Sequence, residues 1–147
     1  MPTIKPSLWF DDNLEAAMDF YTALFPNSSV GDVQRWGPDQ AGPEGQVLAA
    51  SFSLDGLEFT GINGGPVHAG FTETVSFVIE CADQAEIDHY WEALTAEGGE
   101  EGPCGWAKDR FGLSWQVIPV KLAELLAAPG AMNAMMGMKK LVIADLG

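Results

Sequence analysis

The chain has 147 residues, of which 47% are hydrophobic, and it carries a formal net charge of −14 at pH 7. This length suits one domain with a substantial core and is short for two independent ones. This negative charge disfavours binding to nucleic acid or to anionic membrane surfaces, because their phosphates would repel the chain.

The first half of the chain begins with an apolar strand over residues 5–10 and continues into an amphipathic helix. Apolar side chains recur at helical spacing from Leu14 to Phe25, and Asn13 is a suitable N-cap residue. Three strands are predicted next, over residues 30–36, 47–54 and 57–62. Asp55 and Gly56 predict a tight hairpin turn between the last two.

The second half repeats this order. A strand is predicted over residues 75–81, Asp83 is the expected N-cap, and Ile87, Trp91 and Leu94 mark the buried stripe of a helix. Short strands near residues 104–108 and 113–118 follow. The helices align at an offset of 70 residues and the last strands at an offset of 56, which indicates a twofold βαβββ repeat.

Residues beyond 120 return to a helical pattern. Leu122, Leu125 and Leu126 line one face, and a second short helix is predicted in the Met-rich stretch 132–138. Methionines at this spacing are typical of adaptable packing against another surface. Because the tail carries more apolar surface than one small domain needs, we expect a homodimer.

The most informative stretch covers residues 105–119. Trp106 leads into a turn that Asp109 is expected to organise through its backbone amides. The following strand is ended by Pro119 and carries Gln116 between two apolar residues. An amide in that position needs a wet or ligand-filled side, since its burial without a partner is costly. The pattern therefore points to this strand as part of a binding site.

Five short motifs together resemble the PhnB-like family of the vicinal oxygen chelate (glyoxalase and bleomycin-resistance) superfamily. They lie at residues 8–11, 20–28, 63–66, 75–77 and 105–119, and the resemblance covers about residues 3–128. It implies an α+β fold in which two βαβββ modules, at about 3–63 and 74–119, form one domain over 1–147 with a helical tail at about 120–147. Some members carry the label 3-demethylubiquinone-9 3-methyltransferase.

The resemblance also says where a divalent metal would be held. Glyoxalase-like members use four side chains, commonly His or Glu, from the first and last strands of each module. The two offsets assign these positions to Pro6, Thr60, Ser76 and Gln116. Proline has no ligand atom and neutral hydroxyls are poor ligands for transition metals, so we expect no bound metal and no cofactor. His68 and His89 are expected at the surface.

The predicted site is a cleft shared by the two modules. Its expected lining combines aromatic rings with uncharged polar groups, and Cys104 is placed near its mouth: Trp9, Thr60, Asn63, Ser76, Cys104, Trp106 and Gln116. The Cys104 thiol would be reactive only beside a cation such as Lys108 or Arg110, and inert packing is the alternative. Cys81 is expected to be packed.

These residues suit a neutral or aromatic small molecule, which is the leading function hypothesis. A metal-assisted lyase or isomerase that uses Gln116, and a drug-sequestering protein of the resistance type, stay open as alternatives. The methyltransferase label finds no support in the residues, because neither glycine-rich segment, at 61–65 or at 98–105, lies between a strand and a helix.

No apolar run approaches the roughly 20 residues of a membrane span, and no signal peptide is recognisable. Two cysteines fit a reducing compartment, so a cytoplasmic location is expected.

Overall fold

The computed structural model describes all residues from 1 to 147 and has the α+β composition predicted. Its helices and strands, in chain order, are β1 (Ser7–Phe10), α1 (Leu14–Leu24), β2 (Ser29–Arg35), β3 (Val47–Leu54), β4 (Leu57–Asn63), β5 (Ser76–Cys81), α2 (Gln84–Thr95), β6 (Glu100–Glu101), β7 (Trp106–Lys108), β8 (Ser114–Pro119), α3 (Leu122–Leu126) and α4 (Ala131–Met136). A short 3₁₀ turn follows at Ile143–Asp145. The chain divides into two compact units, Met1–Gly70 and Phe71–Gly147.

The two units share one topology. The strand order is β1-β4-β3-β2 in the first sheet and β5-β8-β7-β6 in the second. In each, the first strand of the unit runs parallel to the last, and the remaining pairs are antiparallel. A parallel pair requires a crossover connection, and the helix after the first strand begins it. The twofold βαβββ repeat predicted from the sequence is confirmed.

The core of the first unit lies between its sheet and α1. Leu8 and Phe10 are buried whereas Ser7 and Trp9 are not, as strand alternation requires. Helix α1 buries the stripe predicted for it, from Leu14 to Tyr21. Helix α1 packs so closely on the sheet that position 61 of β4 requires glycine, because a Cβ there would overlap the Leu14 side chain.

The cap of α1 differs from the sequence prediction. Asn13 occupies the N-cap position, but its side chain makes no capping hydrogen bond. Asn63 supplies it instead, since its Oδ1 accepts from the Leu14 amide at 2.9 Å while its Nδ2 donates to the Val47 carbonyl at 2.8 Å. A residue 49 positions away in sequence thus satisfies the helix end.

Helix α2 is capped locally, as predicted. Asp83 accepts from the Glu86 amide at 2.9 Å. The helix buries Ile87, Trp91 and Leu94 in the second unit. Cys81 is buried at the end of β5, as expected, and burial together with nearby acidic groups raises the pKa of its thiol to about 11.

Asp109 organises the turn between β7 and β8, as predicted. Its carboxylate is 2% exposed and accepts from the amides of Phe111 and Leu113 at 2.9 and 3.1 Å. It also accepts from the Trp115 indole Nε1 at 2.8 Å. Three donors therefore compensate the burial of this charge.

Glu100 and Glu101 form a short strand, whereas their sequence pattern indicates solvated loop charge. They pair with Lys108 and Ala107 of β7, so their side chains point to opposite faces of the sheet. Glu101 Oε1 accepts from the Trp91 indole at 2.8 Å on the side of α2. This interaction gives the strand a fixed register that its charge pattern does not reveal.

The C-terminal tail is anchored on its own unit. Leu141 and Leu146 are fully buried, and Gln84 of α2 donates to the Leu141 carbonyl at 2.9 Å. The tail therefore buries part of its apolar surface by itself, and the homodimer stays a prediction that rests on exposed residues such as Met132 and Met136. None of the helices has the length and apolar character needed to cross a membrane.

Candidate functional site

The second sheet has a face turned away from the buried residues of α2, here called the open face of the second sheet. Strand register places six side chains on it, because neighbours in register share a face: Ser76, Val78, Trp106, Lys108, Ser114 and Gln116. The alternate residues Trp115 and Val117 are buried on the opposite side. The predicted strand 113–118 is thus observed with its polar residues on one face.

A cavity of about 320 Å³ opens on this face. Its surface is mainly apolar, with the Trp106 ring and Pro103 as hydrophobic walls. The residues that matter for its chemistry are Glu73, Glu100, Pro103, Trp106, Lys108 and Ser114. The volume lies at the lower end of the range for small-molecule sites, roughly 300–1,000 Å³.

Ser114 is the unusual member of this lining. Its side chain is 1% exposed, and its Oγ has no hydrogen-bond partner. An unpaired buried hydroxyl costs about 1–3 kcal/mol relative to a satisfied one. Strand register directs it to the face that carries Lys108 and Ser76, where the cavity lies. A hydrogen-bonding group of a bound molecule would remove that cost.

The charged part of the cavity is a Glu–Lys pair. Lys108 Nζ lies 2.6 Å from Glu73 Oε1 and 4.0 Å from Glu100 Oε2. The hydrogen bond from Lys108 lowers the pKa of the Glu73 carboxyl, and the same bond raises the pKa of Lys108. The pair therefore stays ionised over the neutral pH range.

Gln116 and Ser76 are brought together on this face, as their predicted shared position implies. Gln116 Nε2 donates to, and lies 3.0 Å from, Ser76 Oγ. Gln116 is in register with Trp106 on one side and Val78 on the other, but it does not line the cavity itself. Its amide lies beside the site with one of its groups already bonded.

Cys104 lies in the turn before β7, with a positive φ of 57°. Its amide donates to the Met138 carbonyl at 2.8 Å, so the turn is fastened to the C-terminal tail. The two cations considered as activators of its thiol are engaged by carboxylates: Lys108 by Glu73, and Arg110 by Glu97 at 2.7 Å. No contact in the structure activates this thiol.

The remaining predicted site residues belong to the first unit. Thr60 lines a second cavity of about 320 Å³ on that unit's sheet, together with Asp32, Gln34, Ser51 and Ile62. Trp9 is 36% exposed, but its indole Nε1 donates to the Gly65 carbonyl at 3.0 Å and its ring contacts His68 edge-on.

Asn63 lies on the other side of this sheet, where its amide holds α1, so it does not line the cavity with Thr60.

The positions that hold metal in glyoxalase-like proteins do not fit a metal in this chain. Strand pairing corrects the assignment of Pro6, because the residue in register with Thr60 is Ser7. A shift of one residue along a strand exchanges its two faces, which an offset between modules cannot detect. Ser7 offers only another neutral hydroxyl, and the Ser76 hydroxyl already accepts the Gln116 hydrogen bond. Nowhere in the chain do three or more His, Cys, Asp or Glu side chains form a group that could hold a metal ion.

Comparison with known proteins gives the family. Residues 2–118 match the family described as 3-demethylubiquinone-9 3-methyltransferase. The chain belongs to this family. It is the PhnB-like family of the vicinal oxygen chelate superfamily, as the sequence motifs indicate. No curated protein matches the chain.

One solved structure agrees with this assignment, and two more distant ones share the fold. A PhnB protein from Bacillus cereus that carries the same 3-demethylubiquinone-9 3-methyltransferase label is 32% identical, with a TM-score of 0.71 over 80% of this chain and 99% of that one. Protein PA1353 from Pseudomonas aeruginosa is 21% identical, with a TM-score of 0.65 over 81% and 98%. The fosfomycin resistance protein FosX from Listeria monocytogenes, in a complex with Mn(II) and sulfate, is 18% identical, with a TM-score of 0.56 over 79% and 89%.

Three glycines of the PhnB-like chain lie at close packing contacts. Gly61 makes room for Leu14, and a Cβ on Gly64 would overlap the Trp9 indole. In the second unit, Gly105 approaches the Val117 carbonyl and Leu141. Each of these glycines is thus explained by a close protein contact.

Sequence reasoning missed the residue that best marks the site. Ser114 lies two positions before Gln116, and side chains two apart on a strand share a face. Applying that rule to β8 would have found it. The partnership of Glu73 with Lys108 has no comparable signal, because 35 residues separate them and no periodicity connects the linker to β7.

Proposed function

We propose that this PhnB-like protein binds a small, largely planar organic molecule on the open face of its second sheet, without a metal. The observation that carries the proposal is the buried, unpartnered Oγ of Ser114 beside a mainly apolar cavity. Buried polar groups without partners are rare in folded proteins, and one that faces a cavity suggests a partner from outside the chain.

The chemistry of the walls supports the type of ligand. The Trp106 ring offers a flat surface on which an aromatic or conjugated molecule can stack, worth on the order of 1 kcal/mol beyond area burial. The Ser114 hydroxyl can both donate and accept, so it would fix the orientation of one polar group. Ser76 and Gln116 continue the polar row on the same face and would contact a larger ligand.

Binding is favoured over catalysis because no catalytic arrangement is present at the cavity. A nucleophile needs a base within hydrogen-bond reach, and the Ser114 Oγ has no hydrogen-bond partner. The absence of a donor set likewise leaves the lyase or isomerase alternative without an anchor for its metal. The resistance-type alternative is a binding function too, and this proposal includes it.

A thermal-shift screen of planar aromatic compounds tests the proposal. We expect hits whose stabilisation falls in Ser114→Ala and in Trp106→Leu. The matched control is Thr60→Val, which removes a hydroxyl from the cavity of the first unit and should leave the same hits unchanged. A screen without hits, or hits that respond only to Thr60→Val, would reject the second sheet as the binding site.

A further inference from the structure

The cavity of the second unit has an uneven charge. Two carboxylates on the open face, those of Glu73 and Glu100, border the cavity with one ammonium, that of Lys108, which leaves a formal excess of one negative charge at pH 7. A third carboxylate, that of Glu101, lies on the opposite face of the same strand. The whole chain, at −14, adds to this potential. Such a field concentrates cations near the cavity and repels anions.

The single cation is already neutralised. Lys108 Nζ lies 2.6 Å from Glu73 and 4.0 Å from Glu100. An anionic ligand that used Lys108 would have to displace Glu73 first. Glu101 is engaged on the other side of the sheet by the Trp91 indole at 2.8 Å.

Glu100 is the least engaged of the three carboxylates. Its side chain is 71% exposed, and its only ion pair is the long contact with Lys108. It borders the cavity that Trp106 also lines. A positively charged group can therefore reach a carboxylate and an aromatic ring in one site, two surfaces that both attract cations.

Taking these observations together with the unpartnered Ser114 Oγ, we infer that the ligand class is a planar molecule bearing a protonated amine, with its ring on Trp106, its amine toward Glu100 and a polar atom at Ser114. This inference rests on the proposed binding function and adds the sign of the ligand's charge.

Three indoles with one ring system and different tails test the sign: tryptamine (cationic), tryptophol (neutral) and indole-3-acetate (anionic). Titration calorimetry at low ionic strength should give tryptamine the highest affinity, about threefold to tenfold above tryptophol, with indole-3-acetate the weakest. Raising the salt concentration should reduce the difference between tryptamine and tryptophol.

Glu100→Gln should remove most of the preference for tryptamine. Glu44→Gln is the matched control, because it removes the same charge from an exposed loop of the first unit and should leave the preference intact. Equal affinities for the three indoles, or tightest binding of indole-3-acetate, would overturn the inference while leaving the binding proposal in place. The same holds if none of the three binds but other planar compounds do. A screen with no hits at all would remove both.

Discussion

The two sheets of this protein share a strand order but differ in how the serine hydroxyls on their faces are hydrogen-bonded. In the first, the Ser51 hydroxyl accepts from the Asp32 amide at 3.1 Å, and Ser29 and Ser53 share a hydrogen bond at 3.3 Å. In the second, the Ser114 hydroxyl is buried and unpartnered. Three serine hydroxyls of the first sheet thus have partners within the protein, whereas the buried Ser114 hydroxyl of the second sheet has none.

Strand length explains part of this difference. β2 and β3 contain 7 and 8 residues, and an irregularity between Val30 and Val33 brings the Asp32 amide over Ser51. β6 and β7 contain only 2 and 3 residues, so the second sheet has less backbone near Ser114 that could donate to it. Both sheets carry a cavity of about 320 Å³, so the difference between the two faces lies in the hydrogen bonding of their hydroxyl groups.

The largest effect is expected at the turns before the last strand of each unit. Asp109→Ala leaves two backbone amides and the Trp115 indole without their acceptor, and should lower the free energy of unfolding by about 3–5 kcal/mol. Asp55→Ala changes an exposed turn residue and should cost about 1 kcal/mol or less. Urea unfolding of both variants measures the difference. Equal losses would contradict the structural role given to Asp109.

The two candidate caps of α1 provide the next comparison. Asn63→Ala removes the acceptor of the Leu14 amide and the donor to Val47, and should destabilise the protein by about 1–2 kcal/mol. Asn13→Ala should cost less than about 0.5 kcal/mol, because that side chain makes no cap. The same unfolding experiment applies. A larger loss for Asn13→Ala would restore the cap predicted from sequence.

Trp106 on the second sheet and Trp9 on the first allow the two sheets to be compared as ligand surfaces. Trp106→Leu should weaken the binding of a screened aromatic ligand about fivefold, which corresponds to about 1 kcal/mol of stacking. Trp9→Leu should leave that affinity unchanged, since the Trp9 indole is held by Gly65 and His68. Calorimetric titration of both variants decides. Loss of affinity only in Trp9→Leu would move the site to the first unit.

A last and smaller effect concerns Cys81, which is buried at the end of β5 in the second sheet. The raised pKa of the Cys81 thiol, about 11 against 9.0, means that this thiol stabilises the fold below pH 9 and that its contribution is lost as the pH rises from 9 through 11. At pH 8 the half-exposed Cys104 should therefore react with iodoacetamide much faster than Cys81. Peptide mass spectrometry locates the label, and preferential labelling of Cys81 would contradict the burial described.

Much of the fold followed from the sequence. Strand alternation and helical periodicity are local signals, and they located both repeats, the α2 cap at Asp83 and the turn at Asp109. The cap at Asn63 and the strand at Glu100–Glu101 depend on tertiary partners, which no local pattern contains.

The site was predicted less completely. Trp106, Ser76 and Gln116 lie on one open face, as their strand positions imply, but the cavity is bounded by Ser114, Lys108 and Glu73 instead of Gln116. The reason is that a cavity depends on which neighbouring side chains leave space. The strand pattern predicts the face on which Gln116 lies. The ion pair between Lys108 and Glu73, which are 35 residues apart, forms one border of the cavity, and no strand pattern predicts it.

The measurement that tests the account most directly is the melting temperature of Ser114→Ala with and without a screened ligand. Removing an unpaired buried hydroxyl should raise the melting temperature of the free protein, whereas the stabilisation by ligand should fall, with a loss of affinity of about twofold to tenfold. The two changes have opposite signs, which a general packing defect cannot produce. A lower melting temperature for the free variant, with an unchanged response to ligand, would contradict the assignment of the Ser114 hydroxyl as a hydrogen-bonding group for the ligand.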